Sequence, residues 1–326
     1  MAKDSKYWIG FDLGGTKMLA IVFNEKFEPI GRARKKTKGN EGMVAGLARI
    51  NSVIEDAISD ADLEHSDISG LGIGCPGPLN LKKKLIEEAP NLGWQDVPIG
   101  DSIESAFGFP VTVANDVDAG VFGEYMFGAG QGCRCVVGIF PGTGVGGGCV
   151  YEGKLIRGAN CTCMEIGHIP IASDGPLDGA GNTGTLESLA SRLVIAGQAA
   201  QACFRGQAPA LLDEAGTDIT NIRSGALAYS ITNGDKAVKA IVEEAARHLA
   251  TSVVTVVHLL APEKIILGGG LIEAMGNVIL PVVEKSAKRR ILPSLRNVFE
   301  VVEAKLGDDA GVLGAAALAR QEVMEK

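Results

Sequence analysis

The chain has 326 residues, 46% of them hydrophobic, which is enough for large cores and suggests about two domains. A net charge of −8 without a basic stripe argues against nucleic acid as the main partner. Met1 to Lys6 leads straight toward a first strand without a leader pattern, and no apolar run approaches the roughly 20 residues that span a bilayer. Seven cysteines, an odd number that includes two Cys-x-Cys pairs, fit a reducing cytoplasm.

Taken in chain order, two apolar runs, Tyr7 to Ile9 and Met18 to Phe23, flank Gly10-Phe11-Asp12-Leu13-Gly14-Gly15-Thr16-Lys17. The segment reads as a β-hairpin with a Gly-rich turn, whose backbone N–H groups can meet phosphate oxygens where no Cβ intrudes. Asp12 is suited to hold magnesium, directly or through water. A Walker loop needs Gly-Lys-Ser/Thr before a helix, and a Rossmann turn also opens a helix. Here Gly15-Thr16-Lys17 precedes a β-branched apolar strand, so neither applies. An ordinary hairpin that happens to be glycine-rich fits these residues equally well.

Arg32 to Asn40 fits a third strand ending in a loop, its charges forming a solvated face. Apolar residues at Met43, Leu47, Ile50, Ile54 and Ile58 give Met43 to Ser59 a helical spacing. Ile68 to Ile73 is a short buried strand ending in Gly74-Cys75-Pro76-Gly77-Pro78, which either presents backbone to a ligand or simply turns the chain. Asn91 to Trp94 reads as a loop and Asp101 to Phe107 as a short helix. Val111 to Ala114 is a strand that delivers Asn115 and Asp116 to its C-terminal end, before a helix from Val117 to Phe127. One of the two caps that helix and the other is left for chemistry.

The opening pattern then returns. Cys135 to Phe140 is a strand, Pro141-Gly142-Thr143-Gly144-Val145-Gly146 a Gly-rich turn, and Gly147 to Tyr151 a returning strand. With Gly10 set on Gly138 the hairpins match in outline, and a repeated phosphate hairpin is more specific than either copy. Gly142-x-Gly144-x-x-Gly147 also fits a dinucleotide fingerprint, but strand rather than helix follows.

Ile156 to Ala190 is loop-rich and holds Glu165, His168, Asp178 and Glu187. Glu165 and His168, three apart, either share a face with a ligand or form a surface pair. Thr185 can cap a helix running to about Phe204, with Glu187 in its first turn. Short helices are expected within Gln207 to Asp235, and a long one from Gly234-Asp235 to Leu260, stopped by Pro262. Lys264 to Leu267 is a buried strand, and Gly268-Gly269-Gly270 after it lets a flat ring lie against the backbone before a helix from Ile272 to about Arg290. Val298 to Ala304 is a further strand, and Asp308-Asp309 caps a last helix whose glycines and alanines suit close packing.

In this order the segments resemble the ROK family of sugar kinases within the actin-like ATPase superfamily. The likeness is carried by Asp12 to Lys17, Cys75 to Pro78, Ala114-Asn115-Asp116, Gly142 to Gly148, Glu165-Ile166-Gly167-His168, Leu186-Glu187, Gly268 to Gly270 and Ala310-Gly311. The resemblance implies an α/β, two-lobed actin-like (ribonuclease H-like) fold with duplicated ββ-hairpin phosphate loops and a cleft between the lobes. It places residues 1–116 and about 309–326 in a small lobe and 117–308 in a large one. It implies ATP-dependent phosphorylation of a hexose, most readily the 6-hydroxyl of glucose, with Asp116 as general base. Gly77, Asn115, Glu165, His168 and Glu187 would bind the sugar. Asp12, Gly14, Gly15, Thr16, Lys17, Gly142, Thr143, Gly144, Gly269 and Gly270 would bind the nucleotide, with Asp12 serving Mg²⁺. A cytoplasmic homodimer without membrane or nucleic-acid partners is implied as well.

The family usually carries zinc on the His of Glu-x-Gly-His and three cysteines of a Cys-x-Cys-Gly-x-x-Gly-Cys run. Here the matching run is Asp178-Gly179-Ala180-Gly181-Asn182-Thr183-Gly184-Thr185, and its thiolates are absent. Two ligands, His168 and Asp178, do not make a structural zinc site, so no zinc is expected. Cys161 and Cys163 precede His168 with poor spacing to further ligands. Met164 stands where the family has a small residue. An N-acetylhexosamine, mannose or fructose kinase is the alternative within the family, and a catalytically silent sugar-binding regulator the alternative outside enzymes. Repressors of the family carry an N-terminal helix-turn-helix, for which a first strand near residue 7 leaves no room.

Overall fold

A computed structural model describes residues 7–159 and 163–325, so Met1 to Lys6 and Cys161 lie outside the described residues. In chain order run β1 (Tyr7–Leu13), β2 (Lys17–Phe23), β3 (Pro29–Lys36), α1 (Met43–Asp60), β4 (Ile68–Cys75), β5 (Leu79–Asn80), β6 (Leu85–Ala89), β7 (Trp94–Val97), α2 (Ile99–Phe107), β8 (Val111–Asn115) and α3 (Asp116–Phe127). Next come β9 (Cys135–Pro141), β10 (Val145–Tyr151), β11 (Lys154–Leu155), α4 (Leu186–Ala190), α5 (Arg192–Phe204), α6 (Pro209–Ala215), α7 (Ser224–Thr232) and α8 (Lys236–Leu260). The last are β12 (Lys264–Leu267), α9 (Gly270–Lys288), β13 (Glu300–Glu303) and α10 (Ala310–Met324).

Two compact units result. The first comprises Met1–Gln131, Leu155–Cys163 and Asp308–Lys326, the second Gly132–Lys154 and Met164–Gly307. The sequence reading breaks the chain after Asp116, whereas the first unit runs on to Gln131, because α3 lies along α10. Their backbones meet closely: a β-carbon on Gly314 would fall 1.7 Å from the Ala119 carbonyl oxygen, and one on Gly123 would fall 2.2 Å from that of Ala310.

In the first unit a five-stranded sheet has the order β3-β2-β1-β4-β8, with β1, β4 and β8 parallel and β2 and β3 antiparallel. The central strands are apolar on both faces because both are covered. Ile9, Phe11 and Leu13 of β1 join Met18, Ala20 and Val22 of β2 against α1 residues Ile50, Val53 and Ile54. Trp8 of β1 and Leu19, Ile21 and Phe23 of β2 meet Val312, Ala316 and Ala319 of α10. By the two-residue period of a strand, Asp12 shares the α10 face with Trp8. Glycine makes that approach possible, since β-carbons on Gly10 and Gly72 would each stand 1.8 Å from an α10 carbonyl oxygen.

The second unit repeats the plan, with a five-stranded sheet in the order β11-β10-β9-β12-β13. β9 and β10 are antiparallel, and β12 lies parallel to both β9 and β13. The duplication read from Gly10 and Gly138 therefore extends to whole sheets.

Several local expectations change. Gly10 to Leu13 belongs to β1, so the first turn is only Gly14-Gly15-Thr16. The helix expected from Thr185 to Phe204 breaks at Ser191, where the backbone is extended, giving α4 and α5. Asp308 and Asp309 make no side-chain cap on α10. Instead Asp308 pairs with Lys17 at 2.6 Å and Asp309 with Arg32 at 2.9 Å, which ties part of the basic run on β3 to ion pairs. Residues 79–97 hold the small sheet β5-β6-β7, whose last strand begins at Trp94, inside the Asn91 to Trp94 segment read as a loop; two to five residues per strand are too few to show a period.

Candidate active site

In the first unit, Asp12 is the penultimate residue of β1, opposite Leu19. The turn after it is fastened by Thr37, fully buried, whose hydroxyl donates to the Gly14 carbonyl at 2.6 Å and whose N–H donates to that of Thr16 at 2.9 Å. Burial first, and then the nearby Asp116 carboxylate, push the Asp12 carboxyl up to about 6 against the partial opposition of Lys17. Gly311, in the first turn of α10, comes so near that a β-carbon there would sit 3.7 Å from Asp12 Cγ. Two carboxylates in one neighbourhood leave negative charge for a cation to neutralise.

Asn115 and Asp116 stand where β8 becomes α3. Asn115 is the cap, accepting from the N–H groups of Val117 at 2.9 Å and Asp118 at 3.3 Å through Oδ1. Asp116 opens the helix, its Oδ1 also 2.9 Å from the Val117 N–H. Gly77 has φ +86°, and a β-carbon on it would fall 1.9 Å from the Glu88 carbonyl oxygen, so no other residue fits.

In the second unit, the turn Gly142-Thr143-Gly144 closes with the Gly142 N–H donating to the Gly144 carbonyl at 2.7 Å. Arg192 is joined to it twice, by its N–H to the Gly142 carbonyl at 2.8 Å and by Nη2 to Thr143 Oγ1 at 3.0 Å. Gly269, φ +81°, precedes α9 close to this turn: a β-carbon on it would sit 3.3 Å from the Pro141 carbonyl oxygen. Gly269 thus stands beside the start of the Gly142-to-Gly144 turn and leads into α9 at Gly270.

Glu187 lies under the same turn. Its carboxylate accepts from the Val145 N–H at 3.0 Å and the Gly179 N–H at 3.1 Å. It ties turn to loop, a role beyond the helix-dipole one its position suggests. Glu165 is exposed, before a single helical turn Ile166–His168. His168 Nδ1 is 2.8 Å from Asp178 Oδ2. Burial pushes the His168 ring toward neutrality, but Asp178, Glu187 and Glu165 together hold its titration above the ordinary value. Met164 adopts φ +63°, a left-handed conformation that favours glycine and explains why a small residue suits this position.

The first unit therefore brings together Asp12, the Gly14-to-Lys17 turn, Asn115 and Asp116, and the second gathers the Gly142-to-Gly144 turn, Glu165, His168, Glu187, Gly269 and Gly270. Sequence reasoning missed Arg192 and Thr37, which lie far along the chain from the turns they touch. It also treated Asp178 only as a leftover ligand. For zinc the donor set does not fit. His168 Nδ1 and both Asp178 oxygens are engaged with protein groups, and no cluster of three ligating side chains exists among the described residues.

Comparison with known proteins places this arrangement. The ROK family pattern matches residues 8–322. The chain belongs to the ROK family. It is 31% identical to a glucokinase of Halalkalibacterium halodurans over 97% of this chain and 96% of that protein. A ROK family glucokinase from Streptomyces griseus, solved in complex with glucose and AMPPNP, superposes with a TM-score of 0.83 at 33% identity, covering 97% of this chain and 99% of that one. A xylose repressor of Caldicellulosiruptor bescii is 26% identical over 99% of this chain but 80% of its own length. The α/β fold, with its paired five-stranded sheets, is thus that of the actin-like ATPase class, as the paired hairpins imply. No helix among the described residues is long and apolar enough to cross a membrane.

Proposed function

We propose that this ROK protein transfers the γ-phosphoryl group of ATP to the 6-hydroxyl of glucose, with Asp116 as general base. The observation that carries the activity is the near full-length likeness to a glucokinase holding glucose and a nucleotide analogue. Asp116, fixed at the first position of α3, would accept the proton of the attacking hydroxyl. Glu165, His168 and Asn115 would orient sugar hydroxyls, joined by the backbone at Gly77. Glu187 would do so only while keeping its two amide donors.

The Gly14-to-Lys17 turn and the Gly142-to-Gly144 turn would hold phosphates by backbone N–H groups, with Arg192 adding charge to the second. Gly269 and Gly270 would flank adenosine. A nucleotide-bound magnesium ion supplies counter-charge to the transferred group when present. Asp12 is the residue that would hold it, and its raised carboxyl, crowded by Asp116, fits a place made for a cation. A cytoplasmic homodimer without nucleic-acid partners completes the reading, supported in its compartment by six described cysteines, none in a disulfide.

A coupled ADP-release assay over glucose, N-acetylglucosamine, N-acetylmannosamine, mannose and fructose tests the proposal. Glucose is expected to give the highest kcat/KM. Calorimetric sugar binding without turnover on any sugar would overturn the kinase reading in favour of a silent regulator.

A further inference from the structure

Residues 165–187 carry three of the proposed sugar contacts, yet contain little regular structure: one helical turn and the start of α4. A single carboxylate orders them. Asp178 is fully buried at its side chain. Its Oδ1 accepts from the N–H groups of Ala180 and Asn182, both at 2.9 Å. Its Oδ2 accepts from Thr185 Oγ1 at 3.0 Å and lies 2.8 Å from His168 Nδ1. Four donors saturate the lone pairs of a carboxylate. Burial pushes the Asp178 carboxyl up, but the hydrogen bonds from His168, Asn182, Thr185 and Ala180 outweigh it and hold the group well below the usual range. The bonds reach the beginning of the segment at His168, its middle at Ala180 and Asn182, and its end at Thr185, which caps α4.

We propose that Asp178 sets this segment and aims His168 by hydrogen bonding alone, as a metal-free positioning residue for the sugar. Nδ1–H donating to the carboxylate fixes the ring and leaves Nε2 for a sugar hydroxyl. The sugar half of the inference rests on the kinase reading; the clamp itself does not.

The test is amide hydrogen exchange on the whole chain, with and without a zinc chelator, combined with elemental zinc analysis and steady-state kinetics. In the unmodified protein the Ala180 and Asn182 amides should exchange slowly, unchanged by chelation, with no stoichiometric zinc. In Asp178→Ala they should exchange at least about tenfold faster while α8 amides keep their protection. The sugar KM should rise about tenfold or more, with the ATP KM changed less than about twofold. Asp178→Asn keeps an oxygen for the two backbone donors but not the acceptor for His168 Nδ1–H. It should therefore preserve most of the protection and still raise the sugar KM. If Asp178→Ala fails to fold, Asp178→Asn and Thr185→Val carry the test. Chelator-induced exchange at these amides, zinc near one per chain, or an unchanged sugar KM in both Asp178 variants overturns the proposal. Protected amides lost in Asp178→Ala, in a protein that turns over no sugar, would support the clamp and overturn the kinase reading instead.

Discussion

The two hairpins, β1–β2 and β9–β10, are the same object built twice with different chemistry. In each a Gly-rich turn separates antiparallel strands, with four residues between the last pair Leu13 and Met18 in the first and three between Pro141 and Val145 in the second. One residue earlier the copies part: the first has Asp12 opposite Leu19, the second has Phe140 opposite Gly146. The first hairpin carries Asp12, the carboxylate that Asp116 crowds, two residues before its turn, and Lys17, which pairs with Asp308, directly after it. The second has Phe140 and Val145 at those places, and its turn is met instead by Arg192, just after the helix break at Ser191, and by Glu187 of α4. On the proposed reading, a duplicated scaffold would hold phosphate by backbone in both copies and reserve the reacting charge for one.

The largest way to break this asymmetry is Asp116→Asn. Its kcat should fall by about 10³-fold, with the calorimetric affinity for glucose nearly unchanged. Full activity in that variant would remove Asp116 from the base role. Asp12→Asn comes next, with kcat expected to fall about 10²-fold and stability to move the other way. The folded-state value of Asp12, about 6, lies above its unfolded value of 3.8, so the native state holds the proton between these limits. Stability therefore falls as pH rises through that window, and the penalty persists above it. The variant should be more stable by about 1–3 kcal/mol at pH 8 and show a flatter profile from pH 4 to 6 in urea denaturation.

Matched glycine substitutions sharpen the contrast. A β-carbon at Gly144 would stand 2.3 Å from Glu187 Oε2, whereas one at Gly15 finds only Asn91 at 3.6 Å. Gly144→Ala should cost about 1–2 kcal/mol in denaturant titration, and Gly15→Ala should leave stability within about 0.5 kcal/mol. A raised ATP KM in Gly15→Ala would then report the phosphate contact itself. Arg192→Ala should raise the ATP KM about three- to tenfold without altering the melting temperature; an unchanged KM would deny it a phosphate role. Smallest of all, Met164→Gly should relieve the left-handed backbone at φ +63° and raise the melting temperature by about 1–2 °C in a thermal scan.

Much of this was legible before any coordinates. Apolar strands around Gly-rich turns marked both hairpins, and strand character after each turn excluded helix-opening loops. The same logic placed Asn115 and Asp116 at a strand end, with Asn115 now the cap. What escaped depends on contacts across sequence distance. Nothing near Thr37 announces that it fastens the Gly14 turn, and Arg192 reaches Thr143 only because the helix breaks at Ser191. Asp178 could be seen to stand at a lost cysteine position, but its four hydrogen bonds come from a loop conformation that no periodicity encodes.

The close approach of α10 to β1, β4 and α3 also bears on how the molecule is made. The first unit's sheet and α3 are complete by Phe127, but the helix that covers one face of that sheet begins only at Ala310. On the ribosome the early strands must wait through synthesis of the entire second unit with Trp8, Leu19, Ile21 and Phe23 lacking their α10 partners. Chains arrested before Ala310 are therefore expected to be cut by protease within the first unit's strands, and the completed chain to resist it.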